Sequence, residues 1–181
     1  MRRIVLVSLI LALGIAVRAQ DEMMEPMPTK ELEKINFLLG HGKGDMTLYW
    51  MGQESKAKTE TVCEMGLGGR FVVMKNTMDM PGMGKVEGLF MITYNAKEKA
   101  FLGWWYDQMA SDALKFKGNM EGNKLVMTSD LFEMPGMPAQ TKMRSTYEPQ
   151  GKNVLFTLDM EANGKWQPMM KCSYENTPKG K

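Results

Sequence analysis

Methionine is the residue type whose abundance and placement in this chain most invite a chemical reading. It accounts for 21 of the 181 residues. Beyond residue 19 it is as frequent as leucine, valine and isoleucine together. Two segments carry the same tetrapeptide, Met80-Pro81-Gly82-Met83 and Met134-Pro135-Gly136-Met137. With Met78, these give Met-x-Met and Met-x-x-Met spacings in which Met78, Met80, Met83, Met134 and Met137 present soft thioether sulfur suited to copper(I). The competing reading is that methionine, flexible and polarisable, supplies core volume or a soft apolar lip through which a hydrophobic molecule passes. For strand positions such as Met91, Met127 and Met143, core volume is sufficient.

Other reactive groups are sparse. His41 is the single histidine, so His-based zinc sites and Ser-His-Asp machinery fail on counting alone. No Gly-x-Ser-x-Gly elbow, phosphate-cradling glycine loop or nucleotide fingerprint is present. Among the carboxylates, Glu87 and Asp107 fall on central strands. There a hydrogen bond to a neighbouring strand or cavity water is a commoner role than general base. Cys63 and Cys172 lack metal spacing. Paired in an oxidising compartment they would close a long loop, worth about 4–5 kcal/mol in the entropic model. Two buried thiols are the other outcome, and both stay open. The expectation is no covalent chemistry and no cofactor.

The start of the chain reads as an export signal. Arg2 and Arg3 precede an uncharged apolar run over 4–17, and Val17-Arg18-Ala19 supplies a cleavage site before Gln20. The run is short of the roughly 20 residues that a membrane-spanning helix needs. Excision of residues 1–19 removes three arginines and takes the formal charge from +2 to about −1. A near-neutral chain lacks the basic field that nucleic acid requires, and no amphipathic basic segment suggests a membrane surface. The expected location is periplasmic or secreted.

The elements that must position these residues follow from pattern. Residues 20–28 read as a disordered leader and 177–181 as a disordered tail. Between them, 29–176 form one domain. Thr29 is the expected N-cap of a short helix over 30–39, with Leu32, Ile35, Leu38 and Leu39 on one face and Gly40 as the stop. From there the chain has strand grammar, with strands expected near 43–50, 56–64, 70–78, 85–94, 99–107, 112–120, 123–131, 140–148, 152–161 and 165–175. Turn residues such as Gly122-Asn123 and Asn163-Gly164 separate them. Consecutive hairpins without crossovers predict an all-β, up-and-down antiparallel barrel of about ten strands behind one short helix. Such a barrel is wide enough to leave a cavity. Leu125, Met127, Ser129 and Leu131 share one face of a strand, as do Val154, Phe156, Leu158 and Met160. Alternate loops of a meander lie at one rim, which gathers Met51, both Met-Pro-Gly-Met segments, Met109 and Asn163-Gly164 there. On the fifth strand Trp104 and Tyr106 share a face and Trp105 takes the other. Trp104 and Tyr106, with Glu87, Met91 and Met109, are the expected ligand-binding set.

Several short motifs resemble those of a bacterial domain family of unknown function among the lipocalin-like calycin barrels. They are Leu38-Leu39-Gly40, Leu67-Gly68-Gly69-Arg70-Phe71, Glu87-Gly88-Leu89 with Ile92-Thr93-Tyr94-Asn95, Trp104-Trp105-Tyr106-Asp107, and Cys172-Ser173-Tyr174. The likeness spans nearly the whole chain after the signal. It departs at Gly42, where the family usually has a tryptophan. It implies the barrel fold and, by analogy, ligand binding; with the export signal and the cavity, the expectation is an exported protein that binds a small hydrophobic or amphipathic molecule inside the barrel. Related barrels bind haem, and His41 would serve as a ligand only if it faced inward; an exposed loop histidine is commoner.

Overall fold

The computed structural model describes residues 27–50, 52–133 and 140–177. The expected signal segment 1–19, nearly all of the 20–28 leader, Met51, the second Met-Pro-Gly-Met segment and the last four residues of the tail lie outside the described residues.

Ten strands follow one another as a meander: β1 (Gly40–Trp50), β2 (Gln53–Gly66), β3 (Phe71–Met80), β4 (Gly84–Asn95), β5 (Ala100–Asp107), β6 (Leu114–Glu121), β7 (Lys124–Ser129), β8 (Met143–Gln150), β9 (Asn153–Ala162) and β10 (Lys165–Thr177). Each pairs antiparallel with its sequence neighbour, and β1 pairs with β10 from His41↔Thr177 to Leu48↔Met170, closing the barrel. The expected turns make the hairpins. In the β3–β4 turn the Met83 N–H donates to the Met80 carbonyl at 3.1 Å. Pro81 precedes Gly82 at φ 78°, so proline and glycine occupy the two central positions that a type II turn requires of them. The first Met-Pro-Gly-Met segment is thus explained by turn chemistry.

Inward faces alternate as period two demands. Leu125, Met127 and Ser129 are buried on β7, and Val154 is buried on β9. Leu131, expected on the same face as Leu125, is 57% exposed instead. Strand β7 ends at Ser129, and a last bond in the β6 register, from the Asp130 N–H to the Lys115 carbonyl at 2.9 Å, precedes Leu131.

The segment before β1 closes one end of the barrel. The expected helix is shorter than its apolar periodicity suggested: α1 covers Thr29–Glu33, and a 3-10 turn covers Asn36–Leu38. The residue capping α1 is Pro28, not Thr29. The chain breaks up in this way because Leu32, Ile35 and Leu38 must all point into the barrel end, where each is no more than 1% exposed. Burying each contributes about 2 kcal/mol. Asn176 on β10 fastens the plug, its side-chain N–H groups donating to the carbonyls of Phe37 and Leu39, both at 2.9 Å. Gly42 is also explained here. A Cβ on it would lie 2.3 Å from Tyr174 Cδ2, so the tyrosine ring takes space that a larger residue on β1 would need.

Replacing Asn176 with Ala leaves two half-buried carbonyls without donors. It is expected to lower unfolding stability by about 1–3 kcal/mol, read as a lower urea midpoint with an unchanged slope. An unchanged midpoint would mean that apolar contacts alone hold the plug.

Candidate functional site

The plug leaves the opposite half of the barrel hollow. A cavity of about 250 Å³ reaches from the aromatic layer of Phe90, Phe116, Tyr147 and Phe156 toward the rim formed by the β3–β4 and β5–β6 turns. Its wall is sulfur-rich: Met46, Met74, Met78, Met80, Met109, Met143, Met169, Met170 and Cys172 all line it. The polar groups along it are Thr59, Thr61, Asn76, Ser145, Tyr147 and Tyr174, and Asp107 is the one charged side chain among the described lining residues.

Glycines fix which residues face this space. A Cβ on Gly88 would fall 2.2 Å from the Trp105 ring, and one on Gly103 would fall 2.7 Å from the Phe90 ring. Both rings therefore lie flat across the neighbouring strand, and Phe90 meets Phe116 edge-on at 5.5 Å between centroids. The Trp105 indole N–H donates to Asp107 Oδ2 at 2.7 Å, and the Met109 N–H donates to Asp107 Oδ1 at 2.8 Å. Asp107 thus spends both oxygens on ordering its own strand end, not on the neighbouring strand or cavity water expected for it.

This phase corrects the expected ligand set. Trp105 and Asp107 face inward, so Trp104 and Tyr106 lie on the outer surface, where Trp104 meets Phe71 at 6.2 Å and Tyr106 is 45% exposed. Glu87 and Met91 share the outer phase of β4, opposite Val86 and Phe90 inside. Glu87 is exposed, and Met91 is paired in register with Trp104. Alternation had been read correctly with the wrong parity, and a one-residue offset moves a whole strand face. Met109 keeps its place at the mouth. The pairing of Gly88 and Gly103 with large aromatics was the signal available in the sequence. A strand glycine often marks close approach by a neighbour.

Of the methionines proposed as copper ligands, the three described ones divide between the cavity and the turn. Met78 and Met80 face the cavity, and Met83, beyond the turn, is 59% exposed. Met134 and Met137 lie outside the described residues. His41 stands on the outer face of β1 with Nε2 2.6 Å from Glu60 Oε1, which excludes it as an inward haem ligand. His41 and Lys43 beside Glu60 hold that carboxyl below its usual range.

Cys63 and Cys172 are free and buried. They flank β1 on β2 and β10, level with Gly40 and Met46 respectively. Six residues along a strand is about 20 Å, far beyond the reach of a disulfide. Burial pushes both thiols up to about 12 and raises the Tyr147 and Tyr174 hydroxyls as well. At neutral pH these four buried groups are therefore uncharged. The Tyr174 hydroxyl, buried in the cavity wall, has no hydrogen-bond partner.

A family model described as a protein of unknown function (DUF1579) matches residues 27–176. The chain belongs to the DUF1579 family. Among solved structures it is similar to Rv2717c from M. tuberculosis, with a TM-score of 0.64 at 14% identity, covering 81% of this chain and 97% of that one. At that identity the likeness extends to the barrel fold alone. No curated protein matches the chain.

Folding holds both thiols protonated, above their ordinary value of 9.0. The stability this contributes is complete below pH 9 and is lost as pH rises toward 12. The urea midpoint is expected to fall over that window, and to fall less in a Cys63→Ala/Cys172→Ala variant. At about pH 8 an aromatic disulfide reagent should label neither cysteine until the chain is unfolded. Rapid labelling of the native protein would contradict this account of the thiols.

Proposed function

We propose that this DUF1579 chain is an exported binding protein that takes a small hydrophobic or amphipathic molecule into its cavity and performs no covalent chemistry on it. The observation that carries the reading is the hollow, methionine-lined half of an otherwise plugged barrel. Apolar concave sites with a few placed polar groups are typical of small-molecule pockets. Thioether side chains, unbranched and polarisable, adapt their rotamers to a guest better than leucine or valine do. Catalysis would need a nucleophile or base. The cavity thiol Cys172 is held protonated at neutral pH and the Asp107 oxygens are engaged, so neither supplies one. Export rests on Arg2, Arg3 and the apolar run before Ala19. Copper(I) held by Met78, Met80, Met83, Met134 and Met137 remains the rival reading, and it places the ligand at the rim instead of inside.

The test is binding of N-phenyl-1-naphthylamine, followed by its fluorescence enhancement. Met78→Trp, which fills the cavity, is expected to weaken binding at least about tenfold while the circular dichroism spectrum is retained. Met83→Leu on the exposed side of the turn should leave it unchanged. Equal binding by all three proteins would place the dye outside the barrel and remove the proposal. Anaerobic copper(I) titration of the same proteins, with affinity lost in Met83→Leu as well as in Met78→Trp, would favour the rim.

A further inference from the structure

The cavity wall carries charge of one sign, and on the cavity-binding reading above that sign narrows what enters. No lysine, arginine or histidine is among the described residues lining the cavity, and Asp107 is the one carboxylate. Two N–H bonds, from Trp105 and Met109, fix this carboxylate without cancelling its charge, because both donors are neutral. Its two oxygens offer about four lone-pair sites, which leaves room for a further donor. None of the ion pairs among the described residues includes Asp107. Lys85 and Lys115, on the strands either side of β5, take the outer phase. Asp107 is the last residue of β5, at the mouth end, and is half-buried. A carboxylate at the edge of an apolar space is stabilised most by a positive charge beside it.

The two ends of the barrel differ in the same sense. The segments that join strands at the open rim carry Asp112, Asp130 and Glu133 against Lys142. Residues 134–139, outside the described set, are Met-Pro-Gly-Met-Pro-Ala and add no charge. The segments that join strands at the plugged end carry Arg70, Lys97, Lys99 and Lys152 against Glu98. Such a distribution draws cations toward the open mouth and disfavours anions there. Aromatic rings extend the match. The Trp105 ring, whose N–H holds Asp107, lies along the wall, and Phe90, Phe116, Tyr147 and Phe156 form the layer beneath. Ring faces attract cations as well as apolar groups. An ammonium head at Asp107 stays close to water while its apolar body fills the methionine-lined space.

We propose that the ligand is an amphiphilic cation, a protonated amine or quaternary ammonium on an apolar body, bound body inward with its head at Asp107.

The experiment uses decylammonium, 1-decanol and decanoate, which share a chain length and differ in head-group charge. They compete with the naphthylamine dye at low ionic strength and about pH 7.5, where the amine is charged. In wild type, decylammonium should bind at least about tenfold more tightly than decanol, the size of a charge-assisted hydrogen bond, and decanoate should bind least. Asp107→Asn keeps an oxygen acceptor for the Trp105 N–H and removes the charge. In that variant decylammonium should weaken about tenfold, to the level of decanol, while dye and decanol change less than about twofold. Added salt should weaken decylammonium and leave decanol unchanged. Decanol or decanoate binding wild type as well as decylammonium does would overturn the assignment, whether or not the variant folds. Full decylammonium affinity in a folded Asp107→Asn would also overturn it. Failure of wild type to bind the dye or any of the three competitors would instead strike at the cavity-binding reading itself.

Discussion

The antiparallel pairing of β1 with β10 is the constraint on which the rest of this molecule depends. By joining the first strand to the last, it leaves no unpaired edge in a meander that would otherwise expose two. It also sets phase. With Met46 opposite Cys172 and Gly44 opposite Tyr174, the inward residues of both strands are determined, and the alternation passes through every hairpin to the remaining eight. A slip of one residue in this ladder would turn the methionine wall outward. The closure also brings Asn176 to the carbonyls of Phe37 and Leu39, so the ladder that shuts the barrel sideways also locks its plug.

Inside that frame, space is shared between glycines and rings. Tyr174 lies over Gly42, Trp105 over Gly88 and Phe90 over Gly103, each ring occupying volume that a Cβ would claim. These flat contacts let large aromatics lie along the wall and form a layer near the middle of the barrel. Below the layer, Leu32, Ile35 and Leu38 fill the end; above it, the flexible thioethers leave a void. The asymmetry of the barrel thus follows from which side chains are rigid and which can fold back.

Electrostatics is kept outside. His41, Lys43 and Glu60 form one cluster on the outer surface, and Lys58 with Asp45 forms another pair. Arg144 reaches Asp159 at 2.9 Å while lying 4.6 Å over the Trp166 ring. The exposed pairs around Glu60 and Asp45 contribute little to stability, which rests instead on burial. Among the described residues the Tyr174 hydroxyl is the buried side-chain polar atom left without a hydrogen-bond partner.

The sequence by itself determined the strand count, the meander, the turn sites and the family. Each of these is written in local signals, namely Gly, Pro and Asn at positions of constrained φ and alternation along each strand. It also determined the burial of Leu32, Ile35 and Leu38, though their spacing suggested one continuous helix where the barrel end imposes a broken one. What only the tertiary structure decided was parity. Whether Trp104 or Trp105 faces inward depends on register against β4 and β6, and a strand with apolar residues on both faces does not announce it. The fate of the cysteines was likewise a matter of register, because their distance along β1 exists only once the barrel is closed. The unpartnered state of Tyr174 could not be read from the chain at all, since it is a property of everything that surrounds the hydroxyl.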